Sequence, residues 1–257
     1  MSDASVPHSA RVWNYWLGGK DNYAVDREAG DRYAAVFPGI IDAARASRAC
    51  LGRVIAYLVQ EAGIRQFLDI GTGLPTADNT HQVAQRHDPE ARIVYVDNDP
   101  LVLAHARALL TSSPEGETAY LHADMHDPGT VLAKAAETLD FQRPIALLMF
   151  GVLGHVADQA EARTLVRTLV AGLPSGSYLA VFDGANTDPA RAEADQRYND
   201  TTGGVPYTTR SPEQIAEFFT GLDLVEPGLV PRASWRPAVA GTRATDTASL
   251  GGVARKP

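Results

Sequence analysis

QFLDIGTGLPT, residues Gln66 to Thr76, is an apolar run that stops at a carboxylate and a glycine turn. Phe67, Leu68 and Ile70 suit a buried strand, and Gly71 and Gly73 suit a tight turn into a helix, so the stretch predicts the first strand of a parallel α/β sheet. Dinucleotide-binding turns place a third glycine shortly afterwards, where helix and strand pack closely. Here Leu74, Pro75 and Thr76 follow instead.

Downstream, apolar strands and amphipathic helices alternate. RIVYVDN, TAYLHAD, PIALLMFGV and SYLAVFDGA read as four more strands, each apolar enough to be buried on both faces of a parallel sheet. Asp99-Pro100, Asp127-Pro128 and Ser211-Pro212 each offer a capping oxygen and a proline at the first helical position, and Asp158 with Glu161 and Ser211 with Gln214 have capping-box spacing. This order predicts a doubly wound sheet with right-handed crossovers and a ligand site beyond the carboxyl ends of its central strands. Residues 186 to 209 read as a long polar lid or substrate loop. LDLVEPGLVP and SLGGVARK, with no helix between them, read as an antiparallel edge pair.

Residues 1–65 carry no strand signal. They hold the aromatic opening RVWNYWLGGKDNY and a helix from about Ile41 to Ala62 closed by Gly63. The chain therefore divides into a helical cap, 1–65, over a core, 66–257. Arg45, Arg48 and Arg53 read as the solvated side of the cap's helix.

Composition narrows the function classes. The chain has 257 residues, 45% of them hydrophobic, a net charge of −8 and one cysteine, Cys50. A lone cysteine forms no internal disulfide and no cysteine-based zinc site, and no metal is expected. Neither a signal-peptide pattern nor an apolar run near the roughly 18 residues of a membrane span occurs, so a cytoplasmic, soluble protein is expected. The acidic balance argues against a nucleic-acid partner.

The strand ends name a ligand. A pyrophosphate at the turn would be repelled by Asp69, whereas S-adenosylmethionine brings an ammonium for Asp69 and a carboxylate for the turn's N–H groups, those of Thr72 included. Asp97, 26 residues after Gly71, sits where a carboxylate accepts from ribose hydroxyls. Asp124 is placed to accept from an adenine amine, with Met125 to cover the ring. Asp99 reads as a helix cap. In LLMFGVLGHV, Phe150, Gly151 and Gly154 let the chain pass close to a cofactor, and His155 falls near the reacting centre.

Together RVWNYWLGGKDNYAVDRE, FLDIGTGLPT, YVDNDP, ADMHDP, RSPEQIAEFF, LVEPGLVP and GGVARKP resemble a bacterial family of S-adenosyl methyltransferases, within the class I methyltransferases. The resemblance spans nearly the whole chain. It implies a Rossmann-like, doubly wound seven-stranded sheet with an antiparallel last strand and an N-terminal helical cap. It also implies cofactor binding by Asp69, Gly71, Gly73, Asp97, Asn98, Asp124, Met125, Phe150 and Gly151, with Asn14 and Tyr15 as contacts from the cap. Trp13, Tyr15 and Trp16 equally suit anchoring the cap to the core. The expected activity is methyl transfer from S-adenosylmethionine to a small acceptor beside His155 and Tyr207. A non-catalytic cofactor-binding regulator and an NAD(P)-dependent oxidoreductase are the alternatives.

Overall fold

A computed structural model describes residues 5–75, 78–99, 102, 104–105, 108, 111–237 and 248–257. Seven strands form one sheet: β1 (Gln66–Ile70), β2 (Arg92–Asp97), β3 (Glu117–His122), β4 (Ala146–Phe150), β5 (Tyr178–Gly184), β6 (Asp223–Leu224) and β7 (Ser249–Arg255), in the order β3-β2-β1-β4-β5-β7-β6. The first five run parallel, and β7 lies antiparallel between β5 and β6. The order reverses between β1 and β4, so a crevice opens beyond their carboxyl ends. This is the architecture expected from the strand pattern. LDLVEPGLVP contributes less strand than its apolar content suggests. Only Asp223 and Leu224 pair, and after Pro227 and Gly228 the ladder resumes as a single bridge between Val230 and Gly251, because proline has no N–H to donate.

β1, β2, β4, β5 and β7 are largely buried on both faces, as their near-continuous apolar sequences require, whereas β3, at the sheet edge, is only half-buried and the short β6 is exposed. Phe67, Ile93, Ala146, Leu148, Ala180 and Phe182 face α3 (Ile40–Gln60) and α4 (Thr80–His87), where Cys50, Leu51, Val54, Ile55, Leu58 and Val59 supply the helical side. Leu68, Ile70, Val94, Val96, Leu147, Met149 and Val181 face the opposite layer of α5 (Pro128–Ala135), α6 (Gln159–Ala171) and α8 (Pro212–Ala216). Each fully buried Val, Leu or Ile side chain contributes roughly 1.5–3 kcal/mol, so these two layers hold the sheet.

The caps act largely as their chemistry dictates. Asp127 accepts from Thr130 N–H at 3.1 Å, and Ser211 and Gln214 form a reciprocal capping box. Asp158 accepts from Glu161 N–H at 2.7 Å, while the Glu161 carboxylate turns to within 3.8 Å of His126 Nε2. The helix start at Asp99-Pro100 lies outside the described residues. Gly63, at φ 71°, ends α3, and Ile64 N–H returns to Leu58 O at 2.8 Å.

The 186–209 segment is a loop only in part: residues 202–209 are irregular and bring Val205 and Tyr207 to a cavity, while the stretch before them is helical. That stretch folds as α7 (Pro189–Thr201), capped by Asp188, whose side chain accepts from Ala190 N–H. Its buried residues are Arg191, Ala194, Asp195 and Tyr198, spaced three, four and seven apart on one helical face. Three of the four are polar, so the stripe is invisible to an apolar-periodicity test. α7 packs with α1 (Ser9–Trp16), α2 (Ala24–Val36) and the start of α3 around Val12, Ala29, Tyr33, Phe37, Ile40, Ala43, Ala194 and Tyr198. That cluster stands over the carboxyl ends of the strands.

Candidate functional site

A cavity of about 290 Å³ lies between the β1, β2, β3 and β4 ends and the helices above them. At the end of β1, Asp69 is 6% exposed, and its Oδ2 accepts from Thr80 Oγ1 at 2.6 Å. Burial pushes the Asp69 carboxyl up to about 6, against opposing contributions from the Thr80 hydroxyl and the Arg48 guanidinium, while Asp97 pushes it further up. The turn that follows needs its glycines. Gly71 has φ 73°, its N–H donates to Val96 O at 2.9 Å, and a Cβ there would lie 2.3 Å from Val152 Cγ2.

Asp97 ties that turn to β2. Its Oδ2 accepts from Gly73 N–H at 3.1 Å and its Oδ1 from Asp99 N–H at 2.9 Å. Burial raises its pKa, and those two backbone bonds oppose the rise. Each oxygen keeps a lone pair. Thr72 and Asn98 line the same wall. Asp99, buried, faces His8, with Oδ2 3.5 Å from His8 Nδ1.

The predicted residues separate at β3 and in the cap. Met125 lines the cavity, but Asp124 does not. It is exposed, and it accepts from the His126 backbone N–H at 2.9 Å and from the His126 ring Nδ1 at 2.7 Å, bonds that hold its carboxyl below the usual range. In α1, Trp13, Asn14 and Trp16 line the cavity, whereas Tyr15 turns away and donates to Asp31 at 2.7 Å. Trp13 and Trp16, three residues apart, share the face that looks inward. Asn14 is buried, and its Oδ1 accepts from Asp21 N–H and Asn22 Nδ2, so its amide braces the turn between α1 and α2.

At the other end, Phe150 and Gly151 close β4, and Leu153–His155 form a 3₁₀ turn. Gly154 N–H donates to Asp183 Oδ2 at 3.0 Å. The Tyr207 hydroxyl donates to Asp183 Oδ1 and accepts from Gly184 N–H at 3.1 Å. Burial raises the Tyr207 pKa, with the Asp183 charge adding to the rise, so the phenol stays protonated. A Cβ at Gly154 would meet Tyr207 Cε2 at 2.3 Å. The Asn199 side chain of α7 clamps the Tyr207 backbone from both sides, donating to its carbonyl at 2.8 Å and accepting from its N–H at 2.9 Å. His155 and Tyr207, placed together from sequence, do meet, with ring centroids 5.2 Å apart.

Several lining residues escape the sequence reading. Tyr33, Arg191, Asp195 and Tyr198 line the cavity. Tyr33 donates to Asp195 Oδ1 at 2.6 Å, and Arg191 Nε stands 3.7 Å from Asp195 Oδ2. Nothing short of the α2–α7 packing brings these together. Asp183 carried a usable signal, a carboxylate at the end of β5. Of the three arginines assigned to solvent, only Arg45 is exposed. Arg48 lines the cavity beside Asp69 and donates to Asp78 O at 2.8 Å, and Arg53 donates to the carbonyls of Trp235 and Arg232.

Comparison with known proteins agrees with this geometry. The profile of a family described as S-adenosyl methyltransferase matches residues 1–257. A Streptomyces avermitilis protein of the DUF574 family has a similar structure, at TM-score 0.94 and 45% identity over 99% of both chains. A Thermobifida fusca protein assigned as a methyltransferase aligns at TM-score 0.90 and 38% identity, over 99% of this chain and 96% of its own. A Mycobacterium avium protein assigned to the S-adenosyl-L-methionine-dependent methyltransferases is 33% identical over 144 residues. That match spans 53% of this chain and 43% of the relative, less than half of its length. Glycine turn, strand-end carboxylates, antiparallel last strand and full-length family match converge: the chain belongs to the S-adenosyl methyltransferase family.

Proposed function

We propose that the protein is a methyltransferase that binds S-adenosylmethionine along the β1, β2 and β4 ends and methylates a small molecule held beneath α1, α2 and α7. One observation carries the cofactor's placement. Asp69 is a buried carboxylate, pushed up to about 6 by desolvation, on the wall of a cavity reached by a phosphate-free turn. An ammonium at that point compensates the desolvated charge, and a pyrophosphate there is opposed by it.

In this reading Asp69 holds the amino group, with Gly71, Thr72 and Gly73 passing close to the cofactor. Asp97 uses its remaining lone pairs on ribose hydroxyls, with Asn98 beside it, and Met125 covers the base. Phe150 and Gly151 border the methionine portion. When bound, the cofactor supplies an electrophilic methyl group. Asn14 acts through the α1–α2 turn, and within residues 1–65 it is α1 and α2 that serve as the cap over the 66–257 core, while α3 packs on a face of its sheet. His155 and Tyr207 form the acceptor end, and S-adenosylhomocysteine leaves as product. Tyr15 and Asp124 lie off the cavity wall and have no contact role here.

Titration calorimetry with S-adenosylmethionine, S-adenosylhomocysteine and NADH tests the cofactor. Saturable NADH binding without a response to S-adenosylmethionine refutes the reading. Transfer of labelled methyl into a metabolite extract separates an enzyme from a silent binder. We also place the reaction in the cytoplasm. Cys50 is a buried free thiol, and no helix among the described residues is long and apolar enough to cross a membrane. Cell fractionation tests that location.

A further inference from the structure

His155 presents a proton-accepting nitrogen to the cavity, and its neighbours dictate which one. Nδ1 lies 2.9 Å from Pro206 O. A carbonyl oxygen only accepts, so Nδ1 carries the hydrogen, and in the neutral ring Nε2 is left with its lone pair. Nε2 has no hydrogen-bond partner among the described residues, and the ring lines the cavity alongside Phe150, Gly151 and Val152. Two contacts fix its plane: the bond to Pro206 and the edge-to-face packing on Tyr207, at 83°. Desolvation lowers the His155 pKa, outweighing the opposing effects of the Pro206 carbonyl, Asp183 and Asp97, and His8 lowers it further. The ring is therefore neutral at physiological pH.

Part of the same cavity lining is aromatic. Trp13 packs on Trp16 at 5.7 Å, Trp16 on Tyr33 at 5.1 Å and Tyr33 on Tyr198 at 6.4 Å, and all four line the cavity. Such a lining suits a flat ring, and a tautomer-fixed base on the same cavity suits a ring carrying an acidic hydrogen.

Resting on the methyltransferase reading, we propose that His155 is the general base for O-methylation of a small phenolic acceptor, with Nε2 taking the hydroxyl proton. The acceptor oxygen bonds to the methyl carbon as the carbon–sulfur bond breaks and its electron pair goes to sulfur. The hydroxyl proton passes to Nε2, and the imidazolium then releases it to water. Tyr207 is a positioning residue, since its hydroxyl is already committed to Asp183.

The test uses the full chain with methyl-labelled S-adenosylmethionine and three probes: catechol, 4-nitrophenol and aniline. Label should appear in the aryl methyl ether of catechol. In His155→Asn the amide nitrogen can replace Nδ1 as donor to Pro206, but no base remains, so catechol turnover should fall on the order of 10²- to 10⁴-fold. 4-Nitrophenol, largely ionised at the assay pH, should lose less than about tenfold. Calorimetric affinity for S-adenosylmethionine should stay within about threefold of wild type. Should His155→Asn fail to fold, His155→Gln and imidazole ¹⁵N shifts of the wild type still decide, with Nδ1 protonated and Nε2 bare as the expected pattern. Methylation of aniline with none of the phenols, equal losses for both phenols, or a protonated Nε2 in the neutral ring overturns the proposal. A wild type that binds S-adenosylmethionine yet methylates no phenol defeats this inference alone. One that does not bind it defeats the functional reading as well.

Discussion

Asp69→Asn should make the ligand-free protein more stable and the cofactor complex weaker. The Asp69 carboxyl moves from 3.8 to about 6 on folding, chiefly by desolvation. At about 1.4 kcal/mol per tenfold change in proton affinity, that displacement corresponds to about 3 kcal/mol. The sign follows from the folded state binding this proton more tightly than the unfolded state. Stability from the protonated carboxyl is fully present below 3.8 and lost as pH rises through about 6. An asparagine has no charge to desolvate and still accepts from Thr80, so the variant should gain roughly 1–3 kcal/mol at pH 7.5, with little gain near pH 4. Urea denaturation of both proteins at the two pH values measures this. Cofactor affinity should fall about 10- to 100-fold, the value of roughly 1.5–3 kcal/mol for a hydrogen bond to a charged group. In the wild type, binding near pH 6 should release about half a proton, seen by calorimetry in buffers of different ionisation enthalpy. An Asp69→Asn protein that is less stable at pH 7.5 and binds the cofactor undiminished would refute the reasoning.

Asp97→Ala should weaken S-adenosylmethionine binding by roughly 1–3 kcal/mol in calorimetry and loosen the turn, because Gly73 N–H loses its acceptor; unchanged affinity removes Asp97 from the site. Gly154→Ala forces a Cβ into the Tyr207 ring and should cost roughly 1–3 kcal/mol by chemical denaturation. Asn199→Ala frees the two backbone bonds that hold Tyr207, and a loss of about 1–2 kcal/mol, with cofactor affinity kept, is expected. An Asn199→Ala protein that loses its cofactor affinity would show that Tyr207 serves the cofactor rather than the acceptor end.

Strands β1, β2, β4 and β5 were legible because each is apolar across both faces and ends at a turn with its own chemistry, and the half-buried edge strand β3 by its aromatic and β-branched content. The positions of Asp69 and Asp97 followed from the same reasoning, since a parallel strand delivers its last residue to the crevice whatever surrounds it. Asp124 shows the limit of that rule. A strand end places the backbone, but His126 two residues on offers both a backbone N–H and a ring nitrogen, and the carboxylate turns to them. Tyr15 likewise lies off the cavity wall, because Trp13 and Trp16 define the inward face of α1 and leave Tyr15 to Asp31.

The sequence by itself determined the sheet, its antiparallel end, the glycine turn and the cofactor class, all set by local pattern and by residues close together along the chain. Tertiary structure alone decided which residues of α2, α3 and α7 complete the cavity lining. Arg48 reaches Asp69 only because α3 lies across β1. α7 is a helix whose buried face is polar, stabilised by Tyr33 on α2, which bonds to Asp195 from 162 residues away. Apolar burial announces itself as a period in the sequence. Polar burial depends on partners supplied from elsewhere in the fold, so its pattern becomes readable only once those partners are in place.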